Sequence, residues 1–338
     1  MEKGPKVRIV GGASTEKKEQ AKKELRQALF NHSNSLSLQE REALEKFEYP
    51  KSLKELALIN FVNQETSRLM QEAGIKPYDI PFENYHIIPP ELYHQLTKDN
   101  SNAATENKKQ AMIFNAEYFR DNPVNFGAVA LHETLHLKAH LSMEVEEKDG
   151  KVDSTLYRES VAIRAAQSKS HHGEYHHHFT GLHEGIVAET EKRLLAKLLD
   201  LPQLAKEKEW LESDEAREMR KNLAQEKEIP EDDIIWIGKK GENDLEWELV
   251  TYPQQRKVLN YLCVEIQKQF PDQYRSADDV YQTFLNAHFT GRLLPIARLI
   301  EKTFGEGSFR LLGNMGTGNS SGVLHLESLK KARARQIR

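Results

Sequence analysis

A chain of 338 residues can bury a substantial core, and length alone suggests two domains or one large domain with subdomains. Charged residues make up 30% and hydrophobic residues 38%, which fits a soluble, helix-rich protein, while 48 basic against 52 acidic side chains, a formal net charge of -4, leave no electrostatic footprint for nucleic acid. No run approaches the roughly 20 consecutive apolar residues of a membrane-spanning helix, and MEKGPKVRIVGGAST lacks the apolar stretch of a secretory signal, so the expected address is the cytoplasm, with no membrane partner.

From Ser14 to about Phe30 the sparse apolar positions predict a surface helix opened by a Ser/Thr cap; the preceding GGAST, with no Lys-Ser/Thr ending, reads as a turn rather than a phosphate loop. Leu38 to Phe47 and Ser52 to Ala73 repeat apolar residues every three and four positions, with Pro50 as the break. YHIIPP around Tyr85 to Pro90 and AMIFNAEYF from Ala111 to Phe119 are rich enough in β-branched and aromatic residues for strands, although the second could begin a helix. FGAVALHETLHLKAHL reads as a strongly apolar helix, and the next segment alternates around Lys148-Asp149-Gly150 as a hairpin would.

His171, His172, His176, His177 and His178 share no regular helical frame and read as a solvated loop, followed by a helix starting near Leu182. Ala205 to Asp233 is a dense charge run with too few apolar residues for a core helix, and reads as an exposed insertion. IIWIGKKGENDLEWELV suggests a strand pair; from Tyr252 to about Leu326 the pattern is mostly helical, broken at GNMGTGNSSG. The single cysteine, Cys263, lies among apolar residues at helical spacing and reads as a core residue, and the basic tail KKARARQIR as a solvated end. The expected organisation is a helical prefix over residues 1–80, a catalytic core over 81–204, a charged connector over 205–245 and a helical subdomain over 246–338.

The chemistry concentrates in HETLH. Helix residues four apart sit about 40° around and roughly 6 Å along the axis from each other, so His132 and His136 can turn their imidazoles to one metal ion, with Glu133 beside it to take a proton from the attacking water. Lys138 departs from the apolar flanks of this helix. Two ligands leave zinc undercoordinated. His140, about 12 Å along the helix from His132, is too far to be the third. Glu184, in FTGLHEGIVAETE, is the better candidate, because a helix following a loop can pack across the first and present a carboxylate.

The pair HETLH and GLHEGIVAE resembles the gluzincin superfamily of zinc peptidases, the thermolysin and aminopeptidase-N type, specifically at these two short stretches and loosely from Tyr85 to Gly313. The resemblance implies an α+β, predominantly helical, zincin-like fold with one Zn²⁺ per chain on His132, His136 and Glu184, and a peptide or protein as substrate. Glu133 would be the general base, and Tyr252, opening a helix in TYPQQRKVLNYL, would donate to the oxyanion; His288 is a second candidate donor. His183 stands where the family has Asn, and Ala188, with Glu189 one step on, where it has the acidic residue that orients the first histidine. That departure keeps open a zincin-fold binding or regulatory protein with weakened catalysis. Two further rivals are a metal-dependent amidase acting on small molecules and a helical interaction protein that holds no metal.

Overall fold

The computed structural model describes residues 4, 7–97, 101–148, 151–166, 175–239 and 245–337. Its front end holds β1 (Val7–Val10) and the helices α1 (Thr15–Phe30), α2 (Leu38–Phe47) and α3 (Leu53–Glu72). Their starts are set locally. Ser14 caps α1, and Ser37 with Glu40 and Ser52 with Glu55 form reciprocal capping boxes that satisfy the first free amides of α2 and α3.

The middle of the chain contains β2 (Tyr85–Ile88), α4 (Pro90–Thr97), β3 (Ala103–Glu106), β4 (Ala111–Asn115), α5 (Ala116–Phe119) and α6 (Pro123–Lys138). A hairpin and its extension follow as β5 (Leu141–Lys148), β6 (Lys151–Glu159), β7 (Ala162–Ala166) and β8 (Tyr175–His178). The long helix α7 (Thr180–Leu199) leads to α8 (Ala205–Glu212), α9 (Asp214–Lys227), β9 (Ile234–Lys239) and β10 (Leu245–Leu249). Five helices close the chain: α10 (Pro253–Gln269), α11 (Ala277–Thr290), α12 (Leu294–Phe304), α13 (Ser308–Gly313) and α14 (Asn319–Gln336). The architecture is therefore α+β with helices predominating. No helix among the described residues is long and apolar enough to cross a membrane.

The described strands form three sheets. β2, β4 and β3 form one, with β3 at an edge; β1, β5, β6, β7 and β8 form the second; β9 and β10 the third. One hydrophobic core runs from Leu29 and Leu58 through Phe126, Leu131 and Leu182 to Leu259, Phe284 and Leu329, so α3 at the front and α10 to α14 at the back share it with α6 and α7. Helix α6 is buried around most of its circumference, which is why its flanks are apolar on more than one face.

Lys138, at its end, is fully enclosed. Its ammonium donates to the Asn63 carbonyl at 3.2 Å, the Thr66 hydroxyl at 2.9 Å and the Ser67 hydroxyl at 3.0 Å on α3, which offsets the cost of burying it. Desolvation still pushes its pKa down to about 7.

Two readings of the sequence change. The charge run holds α8 and α9, which bury Leu211, Ala216, Leu223 and Ala224 against Ile234 and Ile237 of β9; few apolar residues suffice for a small satellite core when they fall on one stripe. His176, His177 and His178 form β8 rather than a loop, because pairing with β7 satisfies the backbone whatever the side chains are; His171 and His172 lie outside the described residues. The Ala111 to Phe119 segment holds both of the elements left open for it: its strand ends at Asn115, whose side chain caps the short α5. The hairpin reading of β5 and β6 agrees, with Asp149 and Gly150 of its turn outside the described residues.

The Gly-rich break before α14 has a tertiary use. Gly181, in the first turn of α7, donates its amide to the Met315 carbonyl at 2.9 Å, and a Cβ there would sit 2.4 Å from the Gly316 carbonyl oxygen. Gly181→Ala should therefore push α7 off this segment and destabilise the protein by about 1–3 kcal/mol in a denaturant titration. A change below ~0.5 kcal/mol would mean the contact relaxes freely.

Candidate active site

Helices α6 and α7 pack across each other and carry the two short motifs face to face. His132 Nε2 and His136 Nε2 lie 3.3 Å apart, and Glu184 Oε2 lies 3.5 Å from the first and 3.4 Å from the second. The three donor atoms thus form a nearly equilateral triangle. Ligands about 2.0–2.1 Å from a tetrahedral ion are separated by about 1.63 times that length, or about 3.3–3.4 Å, so the triangle has the size of one face of a zinc coordination tetrahedron. Glu184 Oε2 is buried and makes no hydrogen bond, an orphan that a cation between the three groups would satisfy.

Both imidazoles are held from behind. Glu191 Oε2 accepts from His132 Nδ1 at 2.9 Å, and Glu159 Oε1 from His136 Nδ1 at 2.8 Å, which leaves both Nε2 atoms turned to the triangle. Asn107 fixes the other Glu159 oxygen at 2.8 Å. The position of Ala188 is thus not where His132 is oriented, nor is Glu189, whose Oε1 accepts from Arg193 at 3.0 Å and whose Oε2 lies 3.8 Å from Arg256. Seven residues make almost two full turns, so Glu191 returns to the stripe of Glu184, whereas five residues put Glu189 about 140° away. That spacing is the signal by which Glu191 was legible. Glu159 had none, since the β5–β6 hairpin brings it from 23 residues away.

Electrostatics follow this geometry. Burial by itself would push the His132 imidazole down, but the Glu184 and Glu191 carboxylates outweigh it and raise the pKa to about 9. His136 is likewise raised well above the ordinary value, against burial, by Glu184 and Glu159. Burial would raise the Glu184 carboxyl, yet His136 and His132 hold it well below the carboxylate range. The field between the three groups favours positive charge.

Glu133 lines the same cleft of about 840 Å³, and the Thr105 hydroxyl of β3 donates to its Oε2 at 2.6 Å. Thr105 was not read from the sequence. Tyr252 precedes α10, with Pro253 as the helix's first residue, and has a left-handed backbone, φ 54°, a conformation that costs a non-glycine residue and is concentrated at functional sites. Its ring lies 6.1 Å from that of His132 with the planes 24° apart.

His183 packs edge-on against His136 at 4.7 Å, and burial followed by the His136 charge holds its imidazole well below the usual range. Its Nε2 lies 3.8 Å from Glu159 Oε1, a grouping that shares His136 and so does not make a separate metal site. His288 is fully buried, donates from Nε2 to the Leu135 carbonyl at 3.1 Å and is not among the residues lining the cleft, which places it in the core against α6. His140 lies beyond the end of α6 and meets Ser142 at 3.0 Å, and Cys263 is buried in the core, its thiol pushed far up by desolvation.

Were the triangle to hold zinc, Glu191→Gln should weaken its binding by about 10–100-fold, because the amide cannot hold the imidazole as strongly, while Glu189→Gln should leave it within about twofold. Competition with a chelating dye measures both, and equal effects would remove Glu191 from this role. Against models of known protein families, curated proteins and solved structures, the chain matches none.

Proposed function

We propose that this chain is a zinc metallopeptidase of the gluzincin type on a zincin-like fold, hydrolysing peptide bonds in a cytoplasmic setting. The observation that carries the reading is the donor triangle of His132, His136 and Glu184, with both rear imidazole nitrogens tied to carboxylates. Bound zinc would polarise the scissile carbonyl and bring a water's pKa toward neutrality.

The chain's own residues supply the rest. Glu133, steadied by Thr105, takes the proton of the attacking water and returns it to the leaving amine. Tyr252 directs its hydroxyl to the oxyanion, and its backbone conformation and nearness to His132 support that role. Peptide substrates are favoured over small amides by β3, which among the described residues is an edge strand and whose residues Ala103, Ala104 and Thr105 line the cleft, so that an extended chain can lie along it. The orientation of His132 by Glu191 removes the reason that Ala188 gave for weakened catalysis.

The test is to measure zinc content and then incubate the protein with an unstructured polypeptide, reading new termini by mass spectrometry. One zinc per chain and cleavage abolished by a chelator and restored by zinc are expected. Absence of zinc would overturn the reading; turnover of simple amides without peptide cleavage would replace it with an amidase.

A further inference from the structure

Among the described residues five carboxylates line the cleft, and four are committed. Glu133 accepts from Thr105, Glu159 from His136 and Asn107, Glu191 from His132, and Glu184 faces both imidazoles. The fifth, Glu248 on β10, takes part in no side-chain hydrogen bond or ion pair among the described residues although it is half-buried. Desolvation, followed by the charge of Glu246 two residues back on the same strand, pushes its carboxyl above the usual range, as expected of a carboxylate whose counter-charge is missing. The guanidinium groups of the cleft, Arg158 and Arg164, belong to β6 and β7 in a different sheet, and Arg158 is already engaged by the Ser160 and Gly291 carbonyls.

The β9–β10 pairing is irregular where it meets the cleft. Neighbouring residues of a strand normally face opposite sides, yet Glu248 and Leu249 both line the cleft. The pairing of β10 with β9 shifts between them: Glu248 stands opposite Trp236 and Leu249 opposite Ile234, which leaves Ile235 as the extra residue of a bulge. Bulges are common next to functional sites, and Ile235, the extra residue on β9, lines the same cleft. Four residues further on is Tyr252, at most about 14 Å away along an extended chain.

We propose that Glu248 is a specificity-determining residue, binding a cationic group of the substrate, an ammonium or guanidinium, within about four residues of the scissile bond. The shared chemistry has two sources, a Lys or Arg side chain or the free α-amine of a short peptide. The inference rests on the peptidase reading, and binding separates the two.

The experiment uses the full chain, zinc-loaded and carrying Glu133→Gln so that bound peptide is not consumed. Four fluorescent octapeptides of one sequence are compared by anisotropy: Lys or norleucine at a central position, each with a free or an acetylated N-terminus. The cationic peptides are expected to bind about tenfold more tightly than their neutral partners. Lys carrying the difference assigns the site to a side chain, and the free terminus carrying it assigns the site to the α-amine. Adding Glu248→Gln should collapse the ratio to about one, and Glu248→Lys should invert it for a Glu-containing peptide. A ratio near one with Glu248 present, or one that survives Glu248→Gln, overturns the assignment. Cation-selective binding without cleavage once Glu133 is restored would instead sink the peptidase reading and leave Glu248 as the anchor of a binding protein.

Discussion

Glu133→Gln should lower peptide hydrolysis by about 10²–10⁴-fold while bound zinc stays at one per chain. Glu133 is adjacent to His132 on α6, yet its carboxylate turns to the Thr105 hydroxyl at 2.6 Å rather than to the donor triangle, so the substitution removes a base and not a ligand. The amide keeps the size and can still accept from Thr105, but it cannot take the proton of the attacking water. Steady-state rates on a quenched peptide, normalised to zinc content, check the expectation. Unchanged turnover would remove Glu133 from the proton path, and turnover lost together with the metal would make it a ligand in disguise.

Glu184→Ala should weaken zinc binding by roughly a hundredfold or more. A zinc site worth about 10–16 kcal/mol spread over four ligands gives about 3 kcal/mol to each, and 1.4 kcal/mol is a tenfold change. The same loss is visible without catalysis. Zinc at a hundred times its dissociation constant adds about 2.7 kcal/mol of stability, so the wild-type melting temperature should rise with added zinc and that of the variant should not at the same concentration. Both proteins should carry replacements of His171, His172, His176 and His178 to silence adventitious binding, while His177 is kept because it lines the cleft. Zinc retained at wild-type affinity would place the third ligand elsewhere.

Features set by neighbours in the chain were legible before the fold was known. The capping boxes at Ser37 and Ser52, the apolar repeats of α2 and α3, and the four-residue spacing of His132 and His136 all depend on helix geometry, which is the same in any protein. Short polar or isolated strands were not: β1 pairs in parallel with β5 from more than a hundred residues away, and β3 reads AATE, so neither has a run long enough to show a period of two. The polar residues around the cleft divide in the same way. Glu191 lies on the helical stripe of Glu184, within reach of spacing arguments, whereas Glu159, Thr105 and Glu248 come from three strands in three sheets.

The sequence by itself determined the long amphipathic helices and the His132–His136 spacing, because each is written in residues one or two turns apart. Only the tertiary structure decided which carboxylate holds each imidazole, what steadies Glu133 and which cleft carboxylate is left unpaired. Those choices depend on how sheets and helices pack and on a bulge in β10's pairing, and packing joins residues that no local spacing relates.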